Sequence, residues 1–287
     1  MDHLVYLDHA ATTAARPEVV EAMLPYFTEK YGNPSSIYSL GSETKAAIAH
    51  AREVMATSIG TTSENIYFTA GGSESDNWAL VATAEAYASK GKHIITSKIE
   101  HHAILHTCDY LASRGYEITY IDVDENGVIK LDQLKAAIRP DTILISVMFA
   151  NNEIGTIQPI EQIGRVCREA GVLFHTDAVQ AAGHLQINVE KDQIDMLSLS
   201  AHKFNGPKGI GVLYAKTGVF LTNLIEGGGQ ERGKRAGTEN LPAIVGMVAA
   251  LEEACSLQKE RSIYVTKLRD QLIDGLKKIP GALLNGD

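Results

Sequence analysis

The segment Ser198-Leu-Ser-Ala-His-Lys203-Phe-Asn-Gly-Pro-Lys-Gly-Ile-Gly211 contains an apolar run that ends in a hydroxyl, a histidine and a lysine before several glycines. The run Asp195 to Ser200 is short and apolar, which is typical of a buried strand in an α/β sheet. Ligands of such sheets bind beyond the carboxyl ends of the strands, and Lys203 follows that end directly. Most lysines are solvated surface residues. A partly buried lysine can instead do covalent chemistry, so Lys203 is a candidate active lysine.

A second segment supplies an acidic partner for this lysine. Val172-Leu-Phe-His-Thr-Asp177-Ala-Val-Gln180 is another apolar run, and it ends in a carboxylate with an amide three residues later. In pyridoxal 5'-phosphate enzymes a lysine forms the Schiff base, and an aspartate pairs with the pyridine nitrogen and keeps the ring protonated. Lys203 and Asp177 end two successive predicted strands and can take these two roles. The pattern therefore predicts a pyridoxal 5'-phosphate site.

Asp177, Gln180 and the Ser200-Ala-His-Lys203 run resemble the class V aminotransferase family, and more narrowly its cysteine desulfurases of the NifS/IscS type. Further motifs occur in the family's order along the chain: Tyr6 to Thr13, Gly32 to Ser36, Ala70 to Asp76, Glu100-His101, Asn151 to Gly155 and Arg235 to Thr238. The resemblance implies an α/β fold, the PLP-dependent transferase fold type I. This fold has a mainly parallel seven-stranded sheet flanked by helices. We expect residues 14–255 to form the large cofactor-binding domain, and residues 1–13 and 256–287 to form part of a small α+β domain.

The segment Ile66 to Trp78 reads as a strand, two glycines and a helix. Glycines let the backbone approach an anion, and the first N–H groups of a helix point toward it, so this segment is a plausible phosphate-binding turn. Ser73 with Asp76 also resembles a capping box, and the two interpretations are compatible. By resemblance, Gly72 and Ser73 bind the cofactor in this turn. The resemblance adds two further cofactor-binding residues, Ser200 and His202.

The resemblance also assigns roles to residues in four other loops. It implies that His101 stacks on the cofactor ring as a second catalytic residue, and that Asn152 and Gln180 bind near the phenolic oxygen. Thr238 would reach the phosphate of a neighbouring subunit, which implies a homodimer with two active sites. These roles complete the predicted site.

The family's reaction implies further expectations. It converts L-cysteine to L-alanine and leaves the sulfur as a persulfide on an enzyme cysteine, for iron–sulfur cluster or thio-cofactor assembly with a sulfur-acceptor or scaffold protein. The chain's own cysteines, Cys108, Cys167 and Cys255, lie on apolar faces of predicted helices, where cysteines are usually inert packing residues. The resemblance places the nucleophilic cysteine, and an arginine for the substrate carboxylate, beyond residue 287. We therefore expect the chain to be truncated at its C-terminus.

Two alternatives stay open at this point. The chain could be another class V enzyme, such as a selenocysteine lyase or an aminotransferase, or a non-catalytic fragment that dimerises or binds a partner. A dinucleotide site at Gly206 to Gly211 is excluded because those glycines precede a strand rather than open a helix. His102 and His106 stand one helical turn apart, but the sequence offers no third zinc ligand beside them, so we predict no metal site.

Composition limits the remaining classes. The formal net charge of -9 over 287 residues argues against nucleic acid as the main ligand. Three widely spaced cysteines form neither a CxxC site nor a disulfide framework, which favours a reducing cytoplasm. The longest apolar run, Leu241 to Leu251, is too short to span a bilayer, so we expect no membrane association. Helices are predicted over 241–257 and 262–279, and a strand over 4–7.

Overall fold

Seven short apolar segments form a single sheet in the computed structural model, which describes residues 5–286. Most of their residues are buried on both faces, as in parallel sheets covered by helices. The strands are β1 (Ile66–Thr69), β2 (His93–Ser97), β3 (Glu117–Ile121), β4 (Thr142–Ser146), β5 (Leu173–Asp177), β6 (Met196–Ser200) and β7 (Gly211–Ala215).

The strand order is β1-β7-β6-β5-β4-β2-β3, and only β7 runs antiparallel to its two neighbours. This arrangement confirms the predicted mainly parallel sheet of seven strands. Strands β5 and β6 are adjacent and parallel, with Asp177 paired in register with Ser198. Their carboxyl ends therefore lie side by side at one edge of the sheet, where the sequence placed the acid and the lysine.

Helices cover both faces of the sheet because successive strand residues point to opposite sides. Ile94 packs in one buried cluster and Ile95 in the other. The helices α4 (Gly72–Ala86) and α5 (His102–Ser113) contribute to the first cluster. The second cluster contains residues of α1 (Pro17–Met23), α3 (Ser39–Ile59), α6 (Leu131–Ala137), α7 (Ile160–Ala170) and α9 (Leu241–Leu276). The short helices α2 (Pro25–Thr28) and α8 (Gln230–Gly233) lie in connections.

The C-terminal part of the chain differs from the sequence expectation. Two helices were predicted with a break at residues 258–261, but α9 runs without interruption from Leu241 to Leu276. The expected break, Gln258-Lys-Glu-Arg261, is polar yet consists of good helix formers without glycine or proline, so the helix continues through it. By length and by the composition of one 18-residue window alone, helix α9 is long and apolar enough to cross a membrane. Half of that window is buried within the protein, as in the core helix of a globular fold.

The predicted strand over residues 4–7 was also wrong for residues 5–7, the part of it that the structure describes. Leu4 lies outside the described residues, and residues 5–7 adopt no regular structure. The division into a large and a small domain stays a prediction, and residues 1–4 and 287 of the proposed small domain lie outside the described part of the chain.

Candidate active site

Lys203 lies just past the end of β6, in a single 3-10 turn formed by Ala201–Lys203. Its Nζ donates hydrogen bonds to the carbonyl oxygens of Ala10 at 2.5 Å and Ala11 at 2.9 Å. Burial lowers the pKa of Lys203, and the nearby carboxylates of Asp177 and Asp8 offset part of that effect. A lowered pKa increases the fraction of neutral amine, which is the form that attacks a carbonyl carbon.

Asp177 ends β5 and is 5% exposed. Its Oδ1 accepts a hydrogen bond of 2.9 Å from the backbone N–H of Val179. Burial raises the pKa of this carboxyl, whereas the Val179 N–H and the positive charge of His101 or Lys203 act in the opposite direction. A cation placed against Asp177 would favour its ionised form further.

His101 is the N-cap residue of α5, and its Nδ1 accepts a hydrogen bond of 3.1 Å from the N–H of Ala103. This contact fixes the ring orientation and leaves Nε2 as the nitrogen available to a ligand. The donor atoms of His101, Asp76 and Asp177 all lie within 4.8 Å of one another. A metal ion could use such a cluster, so the absence of a metal stays a prediction of the sequence.

The predicted phosphate-binding turn is the N-terminus of α4. Gly71 is the N-cap, and Gly72 and Ser73 are the first two helical residues. A Cβ atom on Gly72 would lie 2.7 Å from Cγ2 of Val179, so only glycine fits at this position. The capping-box interpretation was wrong, since the cap residue has no side chain and the carboxyl of Asp76 is turned into the protein, 1% exposed.

The other predicted residues are held by contacts with the N-terminal segment and neighbouring loops. Gln180 Nε2 donates a 2.9 Å hydrogen bond to the Ala10 carbonyl, the same oxygen that binds Lys203. The His202 ring is hydrogen-bonded through Nδ1 to Thr12 Oγ1 at 3.0 Å. Asn152 Nδ2 donates to Glu153 Oε1 at 2.6 Å.

These side chains surround one cavity of about 670 Å³ at the carboxyl ends of the strands. The volume falls in the range that holds small organic ligands, about 300–1,000 Å³. All of the predicted cofactor-binding residues line the cavity except Thr238, which lines a separate pocket of about 140 Å³ together with Arg235. Sequence reasoning missed Asp76 as a lining residue. Its position four residues after Gly72, on the same helix face, was the signal that could have found it.

Pyridoxal 5'-phosphate fits this donor set. Lys203 and Asp177 offer the amine and the acid that the cofactor needs, and the glycine turn of α4 offers backbone N–H groups for a phosphate. An aromatic ring, His101, is also present at the cavity. One buried polar atom, Asp76 Oδ1, has no hydrogen-bond partner there, so the cavity floor is polar rather than purely apolar.

The cysteines divide into two groups. Cys108 and Cys167 are buried, as expected, and burial raises the pKa of both thiols, that of Cys108 to about 12. Cys255 is exposed, so its predicted packing role was wrong. It sits on α9 at a position that faces away from the core. The cavity lining contains none of the three thiols.

Comparisons with known proteins agree on one family. The model of the family described as "Aminotransferase class-V" matches residues 5–287. Cysteine desulfurase IscS of Methanosarcina thermophila is 58% identical over 282 residues, which are 98% of this chain and 70% of that protein. A solved structure titled "NIFS-LIKE PROTEIN" has a TM-score of 0.95 at 42% identity and covers 98% of this chain and 78% of its own. "SspA in complex with cysteine" has a TM-score of 0.85 at 44% identity, with 87% and 72% covered.

Proposed function

Since the chain belongs to the class V aminotransferase family, we propose that it is a pyridoxal 5'-phosphate-dependent cysteine desulfurase that converts L-cysteine to L-alanine and passes the sulfur on as a persulfide. One observation carries this proposal. Asp177 ends β5, Lys203 lies just past the end of the adjacent parallel strand β6, and both line one cavity with the glycine turn of α4. The cysteine ligand of the similar SspA structure supports the choice of substrate.

The cofactor, when bound, stabilises negative charge that develops next to the substrate's amino nitrogen. Lys203 would hold the cofactor covalently and, once free, would move protons at the substrate carbon. Asp177 would keep the pyridine nitrogen protonated. His101 would supply an aromatic face for the ring, and Asn152 and Gln180 would hydrogen-bond near its phenolic oxygen.

The backbone of Gly72 and the side chain of Ser73, at the N-terminus of α4, would bind the cofactor's phosphate. Ser200, the last residue of β6, and His202, two residues later, would complete this part of the site. The N-terminus of a helix favours an anion because its first N–H groups have no partner within the helix. Thr238 reaches the phosphate from a second copy of the chain, so the active enzyme is a homodimer.

Transfer of sulfur needs a thiolate that attacks the substrate sulfur. The sulfur–carbon bond then breaks, a persulfide forms, and the substrate carbon takes up a proton to give alanine. The thiols of Cys108 and Cys167 are buried with raised pKa values, and Cys255 lies outside the cavity. We assign the nucleophile to none of these three. The persulfide serves a sulfur-acceptor or scaffold protein in the cytoplasm.

The visible spectrum of the purified protein with pyridoxal 5'-phosphate tests the cofactor assignment. We expect an absorption band that borohydride removes, with the reduced cofactor attached to Lys203 by peptide mass mapping. Lys203→Ala should take up cofactor without this covalent tag. A wild-type protein that remains colourless with added cofactor would contradict the assignment.

Substrate profiling separates the desulfurase from the alternatives. L-cysteine, L-selenocysteine and an amino acid with a keto acid are offered to the holoenzyme, and alanine is measured. Alanine from cysteine with a dithiol reductant supports the desulfurase. Exclusive release of alanine from selenocysteine, or transamination alone, would replace it with a selenocysteine lyase or an aminotransferase.

A further inference from the structure

A second buried acid, to which the mechanism above gives no role, lies at the floor of the active-site cavity. Asp76 projects from α4, is 1% exposed and lines the same cavity as Asp177. Its Oδ1 is buried without a hydrogen-bond partner. One carboxyl oxygen of Asp76 lies within 4.8 Å of one carboxyl oxygen of Asp177, so the protonation states of the two acids depend on one another.

The groups that face Asp76 from neighbouring elements do not balance a negative charge. His175 Nε2 on β5 is 3.8 Å from Asp76 Oδ1, but burial lowers the pKa of His175 to about 3, so this ring is neutral at pH 7. Its nitrogens are hydrogen-bonded to Ser146 Oγ at 2.9 Å and Ser198 Oγ at 3.0 Å. Asp76 is thus beside a neutral histidine and two hydroxyl-bearing strands.

A third acid approaches the pair from the loop after β2. Glu100 is 6% exposed, and burial raises its pKa to about 8, so it is mainly protonated at pH 7. The ammonium group of Lys203 acts on Asp177 and favours its ionised form. Among the described residues, no such cation acts on Asp76.

Charge balance decides where the remaining proton resides. A protonated pyridine nitrogen matches one carboxylate, and a second carboxylate in the same buried site would be unpaired, which is costly. Asp177 accepts a backbone hydrogen bond from Val179, which favours its ionised form. Burial and, after it, the charge of Asp177 raise the pKa of Asp76 well above its ordinary value, although the Ser198 hydroxyl acts in the opposite direction. We therefore expect the two carboxyls of Asp76 and Asp177 to share one proton, which resides on Asp76.

We propose that Asp76 is a positioning residue that stays protonated beside Asp177 and makes Asp177 the one negative charge facing the cofactor's pyridine nitrogen. This inference rests on the proposed function for its meaning in catalysis. Its structural part, a buried protonated carboxyl at residue 76, holds independently of turnover.

The test compares two substitutions of similar size in the holoenzyme, read by the pH titration of the bound cofactor's visible absorption and by the cofactor dissociation constant. Asp76→Asn keeps a neutral side chain with a donor, so we expect both quantities to stay near the wild-type values. Asp76→Leu removes the donor. It places an apolar group beside the Asp177 carboxylate, which disfavours the ionised form of Asp177. We therefore expect it to move the titration midpoint by about one pH unit and to weaken cofactor binding by about tenfold, which corresponds to one pKa unit.

Infrared difference spectroscopy of wild type against Asp76→Asn gives a direct second reading. At pH 7 the carbonyl band of a protonated carboxyl should be present in the wild type and lost in the variant, while the exposed Asp132→Asn control loses only carboxylate signal. A carboxylate band at residue 76, or equal midpoint shifts in the Asn and Leu variants, would overturn the proposal. So would an unchanged titration in Asp76→Leu. Failure of the function itself looks different, because the protein would then take up no cofactor while the infrared reading still assigns the proton.

Discussion

At the scale of single residues, the buried carboxyl of Glu100, next to His101, makes the stability of the protein depend on pH. Glu100 Oε1 accepts hydrogen bonds from Ser97 Oγ at 2.5 Å and from the N–H of Met148 at 3.0 Å, while its Oε2 is buried without a partner. Burial raises its pKa to about 8, far above its value in an unfolded chain. The folded state therefore binds more protons than the unfolded state between these two pKa values. The stabilisation is complete at acid pH and is lost as the pH rises through about 8.

We expect Glu100→Gln to remove this pH dependence. The wild-type free energy of unfolding should fall by about 1.4 kcal/mol per pH unit from this group alone between pH ~5 and ~8. Urea denaturation at several pH values measures the slope, and the exposed Glu125→Gln variant is the control. A Glu100→Gln protein with the wild-type slope would show that Glu100 is already ionised in the folded state.

Some site residues can be recognised from the local sequence, whereas others become site residues only through tertiary packing. Lys203 and Asp177 could be recognised because each directly follows an apolar strand, and parallel strands bring such ends together. Asp76 and Glu100 could not be recognised, because nothing in the sequence around either residue indicates that its carboxyl is buried. Asp76 resembles a capping partner of Ser73, and Glu100 resembles an ordinary loop acid before His101. Only the packing of α4 and the loop after β2 against the sheet buries these two acids.

At the scale of elements, a buried ion pair fastens the glycine-rich loop of residues 226–240 to β1. Glu231, 3% exposed, accepts from Arg52 Nη1 at 2.7 Å and Nη2 at 2.6 Å, and also from the N–H of Phe68 at 3.2 Å. Glu231 and Arg232 adopt left-handed backbone conformations, with φ of 47° and 58°, which are strained for side chains of this kind. The ion pair, together with a 2.7 Å hydrogen bond from Arg232 Nη2 to the Ile66 carbonyl, holds this strained backbone against β1.

Glu231→Gln should destabilise the protein by about 3–5 kcal/mol, because it leaves the guanidinium of Arg52 buried beside a neutral group. The matched control is Glu161→Gln, which breaks two exposed pairs, with Arg165 at 3.3 Å and with Lys191 at 3.4 Å, and should cost less than about 1 kcal/mol. Thermal and urea unfolding of both variants give the comparison. Equal, small losses in the two variants would mean that the loop is held by its other contacts.

The length of α9 was not predictable from local patterns, although its ends were nearly right. The helix carries two environments. Leu251 is 2% exposed in the core, whereas Leu272, six turns further along, is 62% exposed. Its buried first part was visible as an apolar run, but the polar residues in its middle carry no stop signal. The strands, in contrast, were well predicted because strands buried on both faces read as short apolar runs.

The two parts of α9 should respond differently to the same substitution. Leu251→Ala is expected to cost about 2–5 kcal/mol because it leaves a cavity in the core. Leu272→Ala should change the free energy of unfolding by less than about 0.5 kcal/mol, since the Leu272 side chain is solvated. Urea unfolding of both variants measures the difference. A large loss at Leu272 would reveal that this face is covered in solution.

At the scale of the whole molecule, one sheet separates two buried clusters. Cys108 on α5 belongs to the cluster on one face, and Cys167 on α7 to the cluster on the other. Both clusters include residues of the same strands, for example Leu144 and Ile145 of β4. Opening either face therefore requires the common sheet to lose its packing, which makes the two faces one cooperative unit.

Thiol labelling at increasing urea concentrations tests this cooperativity. Burial raises the pKa of all three thiols, so accessibility decides the difference in reactivity. Cys255 should react without denaturant because it is exposed, whereas Cys108 and Cys167 are buried. If the sheet and both clusters unfold together, Cys108 and Cys167 become reactive at the same midpoint, and their opening free energies equal the global value. Separate midpoints for the two cysteines, followed by mass mapping, would show that one face of the sheet opens while the other stays packed.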